Sequence, residues 1–250
     1  MANRAILALL MITACFAACS APKLGQHAYS STVTVGKESV EVNYLLYLPD
    51  TYGKDRSFKW PLIVFLHGYG ERGNDLELLK KHPLPQTLEK QTDFPFIVVS
   101  PQLPDDLFPW DSRIESLNVL LVGIQKKYSV DPKRLYLTGL SMGGAGTWEF
   151  ALRHPNRFAA IVPIAGFYKY QSREVPRNIC DLRDMPIWVF HGARDTSIPL
   201  YQEEVLVRAL KDCGSSVRFT VYEDTDHEGT WRKAYADPSL FEWLAAQRLR

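Results

Sequence analysis

Residues 134–153 read RLYLTGLSMGGAGTWEFALR and contain a strand, a tight turn and a helix in immediate succession. The apolar run before the turn is typical of a buried strand, and the stretch after it favours a helix. Between them, GLSMG (residues 139–143) is a G-x-S-x-G motif. Such a turn brings backbones together at Gly139 and Gly143, where a Cβ would clash. We expect it to lift the Ser141 hydroxyl above the sheet edge, beside the positive end of the helix.

Short apolar strands, separated by helical stretches or long loops, make up the rest of the chain. Strands that alternate with helices predict an α/β fold whose mostly parallel sheet is covered by helices on both faces. Alternating residues from Val33 to Leu48, around Gly36-Lys37, predict an N-terminal antiparallel hairpin. Ser112 and Glu115 have capping-box spacing and are expected to open a helix. The other strand candidates are WPLIVFLHG (60–68), FPFIVVSPQ (94–102), FAAIVPIAG (158–166), PIWVFHG (186–192) and VRFTVY (217–222).

The N-terminus has the features of an export signal. Arg4 is followed by an apolar run that extends to Cys19, shorter than the roughly 20 residues of a membrane-spanning helix. The run ends in FAAC, which resembles a bacterial lipobox and predicts Cys19 as the lipidated first residue of the mature protein. Cys15 is an alternative that leaves a shorter apolar run. The predicted organisation is a signal at 1–18, a tether at 19–28 and a single domain at 29–250. The protein is expected to be exported to the bacterial cell envelope with a lipid anchor; the alternative is an ordinary cleaved signal and a periplasmic or secreted protein.

Composition narrows the class of protein further. A hydrophobic fraction of 46% in 250 residues is enough to build a core, and a net charge of +1 gives no electrostatic case for binding nucleic acid or an anionic membrane. A lipid anchor is therefore the expected membrane contact. Cys180 and Cys213 can pair in an exported protein, but the sequence leaves their pairing open. Neither belongs to a metal-binding pattern, and no metal or organic cofactor is expected.

A serine nucleophile needs a base, and the base needs an orienting acid. After a G-x-S-x-G turn these follow in the order Ser, Asp or Glu, His, and the candidates we weigh for the base are His191 and His227. His227 lies in the polar loop EDTDHEGTW after the last predicted strand, from which it can reach Ser141. His191 ends the strand PIWVFHG, and we interpret it as a histidine packed under the site.

Asp195 is the predicted acid, because it follows a strand directly and precedes His227 by 32 residues. Its rivals are Asp224 and Asp226, which are expected to belong to the exposed loop around His227.

Acyl transfer also requires backbone N–H groups that stabilise an oxyanion. The residue after the nucleophile, Met142, is one predicted donor, and the loop HGYGERG (67–73) supplies the other, Tyr69 ahead of Gly70.

Other residues of this loop are interpreted as scaffold. His67 is expected to be buried and to shape the loop by hydrogen bonding, and Glu71 and Arg72 are expected to pair.

Two tryptophans, Trp110 and Trp231, are candidates for the walls of the substrate pocket.

Several segments together resemble a known family. HGYGERG, TGLSMGG followed by GTW, and PIWVFHGARDTSIP occur in the order found in the bacterial carboxylesterase, phospholipase and predicted-peptidase group of α/β hydrolases. This group includes relatives of polyhydroxybutyrate depolymerases and of feruloyl and acetyl-xylan esterases. The resemblance covers about residues 30–250 and implies the α/β-hydrolase fold, with Ser141, Asp195 and His227 as triad and Tyr69 and Met142 as oxyanion donors. One departure is that EGT separates His227 from Trp231, one residue more than in many relatives.

The resulting expectation is a serine carboxylic-ester hydrolase that acts on short-chain or carbohydrate-linked esters. A serine peptidase of the same fold is the first alternative, although such enzymes usually carry an additional domain that restricts access. A non-catalytic envelope lipoprotein that binds a partner is the second, although none of the three predicted catalytic side chains is missing.

Overall fold

The computed structural model describes residues 22–249. The predicted signal at 1–18, with both candidate lipidation sites Cys15 and Cys19, lies outside the described residues. Within the part of the chain that is described, no helix is both long enough and apolar enough to cross a bilayer.

A single mixed sheet organises residues 22–249. Its strands are β1 (Gly25–Val35), β2 (Glu38–Leu48), β3 (Trp60–Leu66), β4 (Ile97–Pro101), β5 (Val130–Leu140), β6 (Ala160–Ile164), β7 (Trp188–Gly192) and β8 (Arg218–Tyr222). They are ordered β1-β2-β4-β3-β5-β6-β7-β8. The β1-β2 and β2-β4 pairs are antiparallel and the others are parallel. The predicted α/β fold with an N-terminal antiparallel hairpin is therefore confirmed.

Helices pack on both faces of this sheet. They are α1 (Pro85–Leu88), α2 (Ile114–Lys127), α3 (Met142–Arg153), α4 (Tyr201–Asp212), α5 (His227–Ala236) and α6 (Pro238–Ala246). Successive side chains of a strand point to opposite faces, so Leu62 and Val64 of β3 pack with α2, α3 and α4. Ile63 and Phe65 pack on the other face with α1, α5 and α6. Both faces of the central strands are therefore buried, which explains their continuous apolar sequences.

The tether predicted for residues 19–28 is wrong in its second half. Strand β1 begins at Gly25, and Gly25–Ala28 pair in register with Leu45–Leu48 of β2. The edge strand follows β2 along its full length because this pairing satisfies the backbone groups on that side of β2. Gly25–Ala28 have no apolar pattern that would have predicted a strand.

The capping box predicted at Ser112 and Glu115 is also wrong. The chain enters α2 through a 3-10 turn at Trp110–Arg113, and no side chain caps the helix at Arg113. Trp110 fixes this turn, because its side chain is buried and its Nε1–H donates to the His67 carbonyl at 3.1 Å. Ser112 therefore lies inside the turn, where it cannot act as N-cap.

Cys180 and Cys213 form a disulfide, which settles the pairing that the sequence left open. Their Cα atoms are 5.5 Å apart, within the range that a disulfide spans. The bond joins the 3-10 turn Ile179–Leu182 to the C-terminal end of α4.

Candidate active site

Ser141 occupies a strained turn between β5 and α3. Its φ of 54° and ψ of −118° lie where non-glycine residues are rare. A Cβ at Gly139 would overlap the Gly143 carbonyl, and one at Gly143 would overlap the Leu66 carbonyl. The turn is therefore possible only with glycine at both positions. The Ser141 side chain does not cap α3, so its hydroxyl is available for other contacts.

His227 lies beside this hydroxyl. Its Nε2 is 2.8 Å from Ser141 Oγ, and its Nδ1 is 2.6 Å from Asp195 Oδ2. Since the Asp195 carboxylate accepts a hydrogen bond from Nδ1–H, the proton of a neutral ring stays on Nδ1, and Nε2 is an acceptor for the Ser141 O–H. The structure thus brings the predicted nucleophile, base and acid together in one hydrogen-bonded series.

His227 was expected in a loop, but it is the first residue of α5. The helix starts there because Asp226 is its N-cap, and the Asp226 carboxylate accepts the Gly229 N–H at 2.8 Å. Asp224 pairs with Lys233 at 2.7 Å. Both rival acids therefore have other partners.

Asp195 is held rigidly on the loop after β7. Its Oδ1 accepts the N–H groups of Ser197 at 2.9 Å and Ile198 at 2.8 Å, which turns Oδ2 toward His227. Burial opposes ionisation of this carboxyl, but hydrogen bonds from His191, His227 and Ile198 outweigh it and hold the pKa of Asp195 well below its usual range. The group is therefore a carboxylate at any pH near neutrality.

His191 lies behind Asp195, fully buried as expected for a histidine packed under the site. Its Nδ1 is 2.8 Å from Glu203 Oε2, and its Nε2 is 2.8 Å from the Ile198 carbonyl and 3.4 Å from Asp195 Oδ2. Burial disfavours the charged ring, but hydrogen bonds to Asp195 and Glu203 outweigh it and raise the pKa of His191 to about 10.

Sequence reasoning missed Glu203, which is fully buried on α4. A signal was present, because Glu203 shares helical spacing with the apolar residues Leu206, Val207 and Leu210. A carboxylate on the apolar face of a helix indicates a buried partner.

Met142 and Tyr69 are both first residues of helical turns. Met142 opens α3, and Tyr69 opens the 3-10 turn Tyr69–Glu71. The first N–H groups of a helix have no acceptor within it. Both residues line the same pocket as Ser141, whereas the Gly68 N–H donates to Glu71 Oε2 at 3.0 Å.

The expected pairing of Glu71 with Arg72 is wrong, because each holds the loop separately. The Glu71 carboxylate is buried and pairs with His82 Nε2 at 3.0 Å. Arg72 donates instead to backbone carbonyls of Tyr69, Asp105 and Leu107, at 2.9 to 3.0 Å. Burial raises the pKa of Glu71, but the hydrogen bond and charge of His82 outweigh it, so this pKa is lower than usual.

His67 is buried in the same loop, as its position before Gly68 indicated. Its Nε2 accepts the Leu103 N–H at 2.9 Å, so Nδ1 carries the proton and donates to the Gly68 carbonyl at 2.6 Å. Burial lowers the pKa of His67 to about 4. The ring is neutral at pH 7 and joins this loop to the chain after β4.

A pocket of about 550 Å³ opens above Ser141. Much of its wall is aromatic, with Tyr69, Phe108, Phe167, Tyr170 and Trp231. Trp231 is four residues after His227 on α5, and the helix places both on one face with ring centroids 4.7 Å apart. The extra residue between His227 and Trp231, relative to many sequences of the group, therefore leaves this tryptophan at the site.

Trp110, predicted as a second wall of the pocket, is not part of it. Its side chain is 1% exposed and packs edge-on against His67, with ring centroids 4.8 Å apart. It also contacts Gly146 of α3, where a Cβ would collide with the indole. Trp110 is therefore a core residue that supports the loop from behind.

The fold and the arrangement of this site define an α/β hydrolase. Residues 112–235 match the model of the phospholipase/carboxylesterase family. This half of the chain therefore resembles the phospholipase/carboxylesterase family, and the chain as a whole has the α/β-hydrolase fold.

Three proteins illustrate the relationship. The chain is 26% identical to the bifunctional acetylxylan esterase/xylanase XynS20E of Neocallimastix patriciarum, over 61% of this chain and 22% of that one. It is 29% identical to a putative carboxymethylenebutenolidase of Salmonella typhimurium, over 46% and 47% of the two chains. The crystal structure of a thermostable esterase superposes with a TM-score of 0.73 and 30% identity, covering 88% of this chain and 63% of that one. The chain thus spans from about a fifth to about half of the two curated relatives.

Proposed function

We propose that this protein is a serine carboxylic-ester hydrolase that works through an acyl-enzyme. The observation that carries the proposal is the unbroken hydrogen-bonded series from Asp195 through His227 to Ser141, with contacts of 2.6 and 2.8 Å. Ser141 also lines a pocket large enough for a small ester.

In the first half-reaction, Ser141 Oγ attacks the ester carbonyl carbon while His227 Nε2 takes the hydroxyl proton. The Asp195 carboxylate stabilises the imidazolium that forms. The Met142 and Tyr69 N–H groups stabilise the negative charge on the carbonyl oxygen. His227 then returns the proton to the leaving alcohol, and the acyl group remains on Ser141.

In the second half-reaction, water takes the place of the alcohol. His227 removes a proton from the water as it attacks the acyl carbon, and then protonates Ser141 Oγ as the acid product leaves. Every proton that moves is accounted for by His227, so the cycle needs no metal or organic cofactor.

The substrates proposed are short-chain or carbohydrate-linked esters. A volume of about 550 Å³ has room for a short acyl group or one ring together with part of the alcohol. Aromatic walls favour an apolar or ring-shaped group. The names of the acetylxylan esterase and the thermostable esterase are consistent with this class of reaction.

We further propose that the protein works in the bacterial cell envelope, anchored by a lipid on Cys19. The sequence of the first 18 residues supports export. The Cys180–Cys213 disulfide supports an oxidising compartment, where such bonds persist.

The test is hydrolysis of p-nitrophenyl acetate and butyrate by the purified protein, beside methyl ferulate and acetylated xylan. Ser141→Ala is expected to abolish turnover and labelling by a fluorophosphonate probe while far-UV circular dichroism stays unchanged. Ser57→Ala is the matched control, because Ser57 is exposed and contacts Asp55 in a surface loop. Cleavage of aminoacyl amides without ester turnover, or an active Ser141→Ala variant, would contradict the proposal.

A further inference from the structure

We propose that His191 and Glu203 are positioning residues that set the basicity of His227 through Asp195. The inference rests on the proposed function, since it concerns the base of that reaction. His191 is the penultimate residue of β7 and Glu203 lies in the first turn of α4, and both are fully buried behind the carboxylate of Asp195.

The contacts of His191 define its charge. Glu203 Oε2 lies 2.8 Å from Nδ1 and the Ile198 carbonyl lies 2.8 Å from Nε2. The Ile198 carbonyl can only accept, so Nε2 carries a proton, and the raised pKa of His191 agrees with a second proton on Nδ1 opposite the Glu203 carboxylate. His191 is therefore a buried imidazolium, and its Nε2–H also faces Asp195 Oδ2 at 3.4 Å. That oxygen is the one that accepts from His227.

Glu203 holds this cation in place. Its other oxygen, Oε1, accepts the Gly166 N–H at 3.0 Å and the Trp148 Nε1–H at 3.4 Å. Both of these partners are donors, so Oε1 is an acceptor, and the other oxygen, Oε2, faces His191. Gly166 follows β6 and Trp148 lies on α3, so Glu203 joins α4 to the elements that flank Ser141.

The charges give the arrangement its effect. With His227 neutral, Glu203, His191 and Asp195 carry −1, +1 and −1, a net charge of −1. Loss of the His191 charge leaves −2 beside His227, which stabilises its protonated form and raises its pKa. A base that is protonated at working pH cannot accept the Ser141 proton. The His191 cation therefore keeps His227 available as a base.

The remaining titratable groups around His227 do not contact His191 or Glu203, and all of them are present in every variant. Glu228 is the next residue on α5 and lines the pocket. The Glu71–His82 pair lies across Trp231, whose ring is 5.7 Å from His82 and 4.7 Å from His227. The other charged groups near His227 are Asp195 and the two residues under test, His191 and Glu203.

The experiment measures kcat/KM against pH for the full chain with p-nitrophenyl acetate. The acid limb is the part of this profile in which kcat/KM falls as the pH is lowered and His227 becomes protonated. In His191→Gln, this limb is expected to move to higher pH by about one unit, because removal of the cation close to Asp195 stabilises protonated His227. In the double variant His191→Gln with Glu203→Gln, the cluster returns to a net charge of −1, and the limb is expected to return close to its wild-type position.

The control is His67→Gln, which removes a buried histidine that is neutral and therefore changes no charge. It should leave the position of the acid limb unchanged, whatever it does to the rate. A residue that only supports the fold would lower rates without moving the limb, and the double variant would then be the worst of the three. An unmoved limb in His191→Gln would overturn the inference. An inactive wild type would instead contradict the proposed function.

A second measurement needs no variant. In ¹⁵N NMR spectra of the wild-type protein, both ring nitrogens of His191 are expected to show protonated shifts from pH 6 to pH 9. A neutral ring in that range would overturn the inference even if His191→Gln fails to fold.

Discussion

His227 Nε2 lies 2.8 Å from Ser141 Oγ, although 86 residues separate the two along the chain. The contact requires a strained backbone at Ser141 and a helix that begins at His227. Both local features therefore maintain the contact between the proposed nucleophile and the proposed base, and the predictions below concern the residues that support it.

Asp195→Asn is expected to lower kcat/KM by roughly 10³ to 10⁴ fold. An amide at this position donates as well as accepts, so His227 loses the tautomer in which Nε2 accepts the serine proton. Steady-state hydrolysis of p-nitrophenyl butyrate measures the effect. Asp224→Asn, on the exposed loop, is the matched control and should retain wild-type kinetics. Near-normal turnover in Asp195→Asn would assign the orienting role to another group.

Glu71→Gln is expected to reduce kcat by roughly 10 to 100 fold with a smaller change in KM, by loosening a proposed oxyanion donor. The Glu71 carboxylate accepts the Gly68 N–H and pairs with His82, and both contacts fix the backbone that carries Tyr69. Glu77→Gln serves as control, since the Glu77 side chain is 72% exposed. Equal kinetics for the two variants would mean that the loop needs no such support.

His67 makes the free energy of unfolding depend on pH. Its folded-state pKa of about 4 is below the value of roughly 6.5 expected in the unfolded chain. Between these two values the unfolded state binds the extra proton, so stability falls as the pH is lowered from about 6.5 to 4. Urea denaturation at several pH values should show a flatter dependence for His67→Gln. Parallel curves for variant and wild type would contradict a buried neutral histidine.

Loss of the disulfide is expected to destabilise the fold by roughly 3 to 4 kcal/mol, because the bond closes a loop with a sequence separation of 33 residues. Denaturant midpoints of the wild type, with and without reductant, measure this change. The double variant Cys180→Ser with Cys213→Ser should match the reduced wild type and should not respond to reductant. Turnover at 25 °C should persist, since neither Cys180 nor Cys213 lines the pocket above Ser141. A variant as stable as the oxidised wild type would disprove the role of the disulfide.

Much of the fold and site was predictable because the signals were local. Ser141 was recognisable from the glycines around it, which the backbone overlap at Gly139 and Gly143 requires. The buried strands were recognisable from continuous apolar runs. Asp195 and His227 followed from chain order and from their places after β7 and β8. These inferences need only the residues on either side of a turn or strand.

The errors came from contacts between distant segments. Trp110 was assigned to the pocket, yet it packs against His67 and α3. Glu71 was paired with its neighbour Arg72, yet its partner is His82. The sequence places Gly25–Ala28 in the tether, because these residues become part of strand β1 only by pairing with β2. In each case the partner lies far along the chain, and composition gives no information about it.

The amino-acid order alone was sufficient for the strand-turn-helix unit at Ser141, the class of fold and the identity of the three side chains proposed to react. Long-range packing was needed for the charge of His191, the burial of Glu203, the Cys180–Cys213 bond and the tryptophan that faces the pocket. The reason is physical: steric limits on a turn act between neighbouring residues, whereas ionisation and burial depend on which distant groups meet in an interior of low dielectric constant.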